Sequence, residues 1–402
     1  VMFCFVLPLF SAEFTETFND NTYKDTDNTT ANWNTTDNRV QLERDHRFAE
    51  TTGVVNWGGG VTAIEYSADD SLWLIGGEGG KLNSYNGSNF VNLSVEAGFG
   101  IDAINDIHYN GDYWIICANG KKLKSYDGSS FTDLASNLVN FPGDVRAAAY
   151  KDTPSTFWLI GGASGALNRF DGTNWTDEKT NLGFGTNNVN AIAFNGSYWL
   201  VIGDNGKIAK YDGASWSDLS SAVESALGGV YNLYSLDYSG NTFLIGGGDG
   251  KLVSYNGASF TDRSSSVSMT SIWSIHHNGS YWIIAGNSGS VTRYYTSTDL
   301  STFNLQTNET YFNSDPVWAV MSDRGGTNLL GGRNSRILKR EGSAVSPSNT
   351  DLSGDIKDFG KHNIRSAGWN GSYWLIGGAV SYTHLRAHET VLDLVCRLLL
   401  EK

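Results

Sequence analysis

Positive charge, cysteine, proline and long apolar runs are all scarce in this chain of 402 residues. Lysine and arginine number 28 against 42 aspartates and glutamates, a net charge of −14. A surface this acidic repels phosphate backbones and anionic headgroups, so nucleic acid is not expected among the partners. The three cysteines, Cys4, Cys117 and Cys396, stand far apart in unrelated contexts and offer neither a disulfide framework nor metal-ligand spacing. Cys117 falls where other repeats carry glycine or alanine and is read as a small packed residue. No apolar stretch is long enough to span a bilayer. What is abundant is glycine (47, against 5 prolines) and aromatic residues at 13%. That mixture suits short strands joined by tight turns, with large rings filling the space between sheets.

The dominant feature is a repeat of roughly 40–46 residues. Its marker strand recurs eight times: Trp73 to Gly77 (WLIGG), Trp114 to Ala118 (WIICA), Trp158 to Gly162 (WLIGG), Trp199 to Gly203 (WLVIG), Phe243 to Gly247 (FLIGG), Trp282 to Gly286 (WIIAG), Asn328 to Gly332 (NLLGG) and Trp374 to Gly378 (WLIGG). Each full copy resolves into four strand candidates. In the fourth they are Val189 to Phe194, Tyr198 to Ile202, Lys207 to Tyr211 and Ser215 to Leu219. Asn195-Gly196 and Asp212-Gly213 separate the first pair and the last pair, and such dipeptides supply the φ > 0 residues of antiparallel hairpins. The marker strand is apolar on both faces and must be covered on both. Radially stacked sheets meet that need and a two-layer sandwich does not. The expected fold is therefore all-β, a β-propeller of four-stranded antiparallel blades, with seven full blades and an eighth motif that stops after its second strand; the alternative is that strands from the two ends of the chain complete that blade. Copy six, reading YYTSTD over Tyr294 to Asp299, has no Asp-Gly pair and is expected to lack the turn.

The consensus W-[LI]-I-G-G-x-x-G-K-[LI]-x-x-[YF]-[DN]-G-x-x-[FW] over residues 54–380 resembles the repeats of two-component-regulator-type propellers and of photosystem II assembly-factor-like propellers with Asp-box-related repeats. The glycine pair followed by an aromatic residue also resembles kelch. The resemblance implies a propeller and leaves function open, since these folds host unrelated roles. Asp127-Gly128, Asp171-Gly172 and Asp212-Gly213 are adjacent pairs, whereas an Asp-box spaces its Asp and Gly.

The two ends read differently. Residues 1–12 form a short apolar stretch closing on small residues, the form of a secretory signal remnant. Residues 13–53 are rich in Asn, Asp and Thr and are read as a polar extension with one hairpin. Residues 381–402 lose glycine, become Leu-rich with a helical pattern, and resemble the translated adapter tails that contaminate sequence collections; they are read as foreign to the natural protein.

In this strand order the tight turns share one face. The second-to-third loops and the longer blade-to-blade connections share the other, where binding residues are expected. Phe99, Phe141, Phe184 and Leu227 recur in those connections and are the candidate contact residues, either as an exposed apolar ring or as plugs over the blade below. Gly79-Gly80-Lys81 is turn chemistry, since a strand follows it and not a helix. His108, His276, His277 and His362 show no matched acid or nucleophile in the sequence, and no catalytic residue, metal ligand or cofactor is assigned. Nine Asn-x-Ser/Thr sequons occur; Asn28, Asn34, Asn92, Asn174 and Asn308 are the candidate glycosylation sites. The functional expectation is a secreted or cell-surface, monomeric, non-catalytic binding module for a protein or glycan. Alternatives are the sensory part of a larger receptor and an enzyme, lyase or glycosidase, with a channel site.

Overall fold

The computed structural model describes residues 60–306, save positions 68, 87–89, 152–155 and 289–290. Outside that span it describes 31–34, 39–42, 48–50, 317–322, 328–332, 337–344, 347–351, 364–369, 373–378 and 396–399. Seven consecutive segments each fold into a four-stranded antiparallel sheet ordered as in the chain: Val61–Asn92, Ile104–Asp133, Val145–Asp177, Val189–Asp218, Leu233–Asp262, Ser271–Gln306 and Val317–Asp351, here blades one to seven. An eighth sheet is assembled from both ends. Ile364–Trp369 and Tyr373–Gly378 are joined by Cys396–Leu399, with Phe48–Glu50 on the outer edge. The first strand of every blade lies beside the first strand of the next, and that of blade eight lies beside that of blade one. The fold is a closed eight-bladed β-propeller, and closure leaves no inner edge open to another chain.

The eighth motif therefore does not end at two strands. Its other two come from segments assigned by sequence to the polar extension and the tail, and Cys396–Leu399 is a strand where a helical pattern was expected. A short Leu-rich run fits a covered strand as readily as a helix, and pairing decides between them. Residues 1–47 form a separate unit, in which Ala31–Asn34 pairs with Arg39–Leu42 in the expected hairpin. The leader 1–12 lies outside the described residues.

The core is a series of slabs between adjacent blades. Trp73, Trp114, Trp158 and Trp199 are buried, each among side chains of two blades, as the doubly apolar strands require. The glycine pair that ends the second strand in five of the eight blades has two separate causes. A Cβ on the first glycine would strike the next blade's inner strand, at 2.6 Å from Ile104 for Gly76 and 2.5 Å from Val189 for Gly161. A Cβ on the second would strike the backbone carbonyl just before its own blade's inner strand, Asn188 for Gly203 and Asn232 for Gly247. Cys117 takes the first-glycine place in blade two. It is buried, and the next blade accommodates it with Ala148 where Ile107, Ile192 or Ile275 stands elsewhere.

The tight turns close on side chains. Asp127, Asp171, Asp212 and Asn256 each accept backbone N–H bonds from the residues two and three ahead, and the following glycine has φ between 92° and 99°. Stacked cross-strand rings clamp the same hairpins: Tyr126 on Phe131, Phe170 on Trp175, Tyr211 on Trp216 and Tyr255 on Phe260, at 4.4–4.6 Å. Blade six retains this turn, contrary to the sequence reading. Asp299 accepts from Ser301 and Thr302, and Leu300 takes the positive φ of 57°. The carboxylate specifies the turn, and glycine only makes it easier.

Candidate binding face around the channel mouth

The blade-to-blade connections pass over the face opposite the tight turns. Three of them run as a short helix, a left-handed glycine cap and then the connection: Ser94–Ala97 with Gly98, Lys179–Leu182 with Gly183, and Ser220–Leu227 with Gly228. The cap turns Phe99 and Phe184 inward, whereas Leu227 closes its helix just before the cap and Phe141 follows a 3-10 turn. Phe99, Phe141, Phe184 and Leu227 are all buried, Phe141 and Phe184 lying over Gly162 and Gly203. They are plugs, and the exposed-ring reading is corrected: each ring gains more by covering the end of an inter-blade slab than by facing water. The exposed apolar residues on this face are others, Val95, Ile101, Val139 and Val230, with Val95 at 91% and Ile101 at 89% exposure. Each sits on a connection within a few residues of a plug, and a single Val or Ile in a polar loop carries no repeat pattern that marks it in the sequence.

A second ring lies inside the first. In all eight blades the inner strand carries a β-bulge near its start, at its second residue in seven and its third in blade six, against the end of the marker strand. Bulges re-aim side chains. The bulged residues, in blade order, are Thr62, Asn105, Arg146, Asn190, Tyr234, Trp273, Trp318 and Arg365. Because the inner strands surround the axis, these residues encircle the channel mouth. Thr62, Asn105 and Asn190 each donate to the carbonyl of the preceding position in the next blade, Ile104, Val145 and Leu233. These bonds satisfy one carbonyl each on the inner edges of blades two, three and five. Asn105 and Asn190 also bond Asn119 and Asp204 in their own blades, and Trp273 Nε1 donates to Asn287. Arg365 pairs with Glu78 at 2.8 Å. Tyr234 and Trp273, both half-buried, stack at 4.9 Å with 15° between planes.

Below the mouth the channel wall carries titratable groups. Asp106 accepts from Ala148 N at 2.8 Å, yet burial pushes its carboxyl up to about 7. His108 stands edge-on to Trp158, and burial lowers its pKa to about 4, so it is neutral. His276 does have a matched acid, contrary to the sequence reading. Asp237 Oδ2 lies 3.3 Å from its Nδ1 and also accepts from His277 N. That pair joins neighbouring blades, an adjacency invisible in the linear chain. No cluster of three or more metal-capable side chains occurs among the described residues. No helix there is long and apolar enough to cross a membrane.

This fold has solved counterparts. A computationally designed protein, Ika8, superposes with a TM-score of 0.62 at 11% identity, over 87% of this chain and 99% of that one. YCF48 from Cyanidioschyzon merolae matches with a TM-score of 0.57 at 10% identity, over 88% of this chain and 98% of its own. A YCF48 structure with a D1 peptide bound matches at 0.51 and 12% identity, over 74% and 96%. No family profile and no curated protein matches the sequence. At such identities the likeness is one of fold, and it agrees with the propeller expected from the repeats. Of the candidate sequons, Asn92 and Asn174 are exposed and Asn34 lies in the N-terminal hairpin, whereas Asn28, Asn308 and also His362 lie outside the described residues. Asn278, a sequon by sequence, is buried and holds its own turn.

Proposed function

We propose that the chain is a non-catalytic interaction module that holds a protein partner on the long-loop face. The observation that carries this reading is the gathering of Val95, Ile101, Val139 and Val230 on one end of a rigid ring, around half-buried aromatic residues at the channel mouth. The opposite end is tiled with self-bonded Asx turns. YCF48 with its bound D1 peptide offers a precedent for peptide binding on this fold. Export to the cell surface belongs to the same proposal and rests on the apolar leader. In a chemical-crosslinking pull-down, a partner captured at micromolar protein should be lost by Ile101→Asp with Val230→Asp and kept by Ala214→Arg on the tight-turn face. All variants should melt as the parent does. Equal capture by both would overturn the assignment of the face.

A further inference from the structure

We propose that the channel mouth binds a short extended peptide bearing a carboxylate, with Arg146 as the anchor for the carboxylate and the Tyr234–Trp273 stack as the seat for an apolar side chain nearby. The inference rests on the reading of the long-loop face as a protein-binding surface and names the site and ligand chemistry within it.

The argument starts from the repeat. In blades two, four and six the residue just after the marker strand, Asn119, Asp204 or Asn287, accepts a bond from the bulged side chain of its own blade. Blade three has Ala163 at that place. Arg146 is half-buried and, among the described residues, makes no hydrogen bond or ion pair. The neighbouring carboxylates are committed elsewhere. Asp144 accepts from Gly120 N, and Asp204 accepts from Asn188 and Asn190. A partly desolvated guanidinium with five donors and no acceptor favours an incoming carboxylate, which it can hold in two parallel bonds.

The aromatic half follows from blade five. There the place after the marker strand is Gly248, over which the Tyr234 ring lies, and the ring stacks on Trp273 of blade six. The stack covers one face of each half-buried ring, and the apolar surface of the Tyr234 ring that remains in contact with solvent suits an aromatic or aliphatic side chain. One inner strand, that of Asn190, separates Arg146 from Tyr234, and about five extended residues at ~3.3 Å each bridge such a gap.

The test selects random octapeptides displayed on phage against the full chain, then synthesises the winners as carboxylate and amide twins for fluorescence polarisation. The expected winners carry an acidic residue or free terminus within about five positions of an apolar one. The carboxylate twin should bind about tenfold more tightly, and Arg146→Gln should abolish that preference without moving the melting temperature. Trp273→Ala should weaken both twins alike. If binding falls with Ile101→Asp but ignores Arg146→Gln and Trp273→Ala, the mouth assignment is wrong and the face reading stands. If it ignores all three, both fall. Failure to enrich any peptide, or Arg146-dependent binding confined to uronic-acid oligosaccharides, overturns the peptide class while leaving partner capture by the face to its own test.

Discussion

At the tight-turn end of the propeller one device recurs from blade to blade, an Asp or Asn bonded to the backbone ahead of it and a stacked aromatic pair behind it. At the other end the connections differ in length, helix content and exposed residues, and the bulged positions vary from Thr62 to Trp273, with bonds shared by blades two and four but not by five or six. The first end satisfies itself with local bonds and has little to offer a partner. The second is built on the same frame but, among the described residues, leaves apolar side chains and the Arg146 guanidinium uncommitted. Repetition marks what the fold needs, and departure from repetition marks where the fold leaves freedom for binding.

One kind of substitution at the two ends should break this contrast most sharply. Gly203→Ala would drive a Cβ into the Asn188 carbonyl beneath the long loops, and backbone cannot step aside. The expected loss is about 3 kcal/mol or more, from overpacking. Gly213→Ala in a tight turn meets no atom within 4 Å and costs only the strain of φ 99°, about 1–2 kcal/mol. Urea denaturation of the two variants compares them directly. Equal losses would mean that the second glycine of each pair is turn chemistry and not a packing requirement.

The same division explains what could be read in advance. Hairpins, the doubly buried Trp strands and the small residue at Cys117 follow from patterns within about 40 residues, where periodicity and turn chemistry operate. Ring closure by Phe48–Glu50 and Cys396–Leu399 pairs segments that carry no repeat motif, so nothing local announces it. The bulged ring was also out of reach. Arg146 and Tyr234 look like ordinary strand residues until the register with the marker strand shows that each lacks a direct partner. The sequence leaves the plugs open between contact and cover for a related reason: which way Phe99 or Phe184 turns depends on the αL cap before it.

Between the two ends, the channel wall offers a medium-sized effect of pH. Asp106 has a folded pKa raised to about 7, so the native state holds its proton more tightly than the unfolded chain. Stability from this group is present at low pH and is lost as pH rises from about 4 to about 7. Three units at ~1.4 kcal/mol each give a ceiling near 4 kcal/mol, and partial exposure to the channel brings the expectation to about 2 kcal/mol. Asp106→Asn keeps an acceptor for Ala148 N and should flatten that decline, making the variant the more stable protein at pH 8. An unchanged pH profile would show that the carboxyl is solvated in the channel.

The smallest effect belongs to the tight-turn end and has the opposite sign. The turn N–H groups of Ser129 and Ser130 hold the Asp127 carboxyl well below the usual carboxylate range, and Asp171 and Asp212 are lowered in the same way. Stability from these groups is present above about pH 4 and is lost as pH falls further. Asn256 and Asn110 already fill the same role without titrating. The triple replacement of Asp127, Asp171 and Asp212 by Asn should therefore leave the melting temperature at pH 7 nearly unchanged and soften its fall between pH 4 and 2. Because these turns are exposed and self-contained, partner capture by the far face should be untouched. A loss of capture in that variant would mean that the two ends are coupled through the blades, and the contrast between a closed scaffold face and an open binding face would have to be withdrawn.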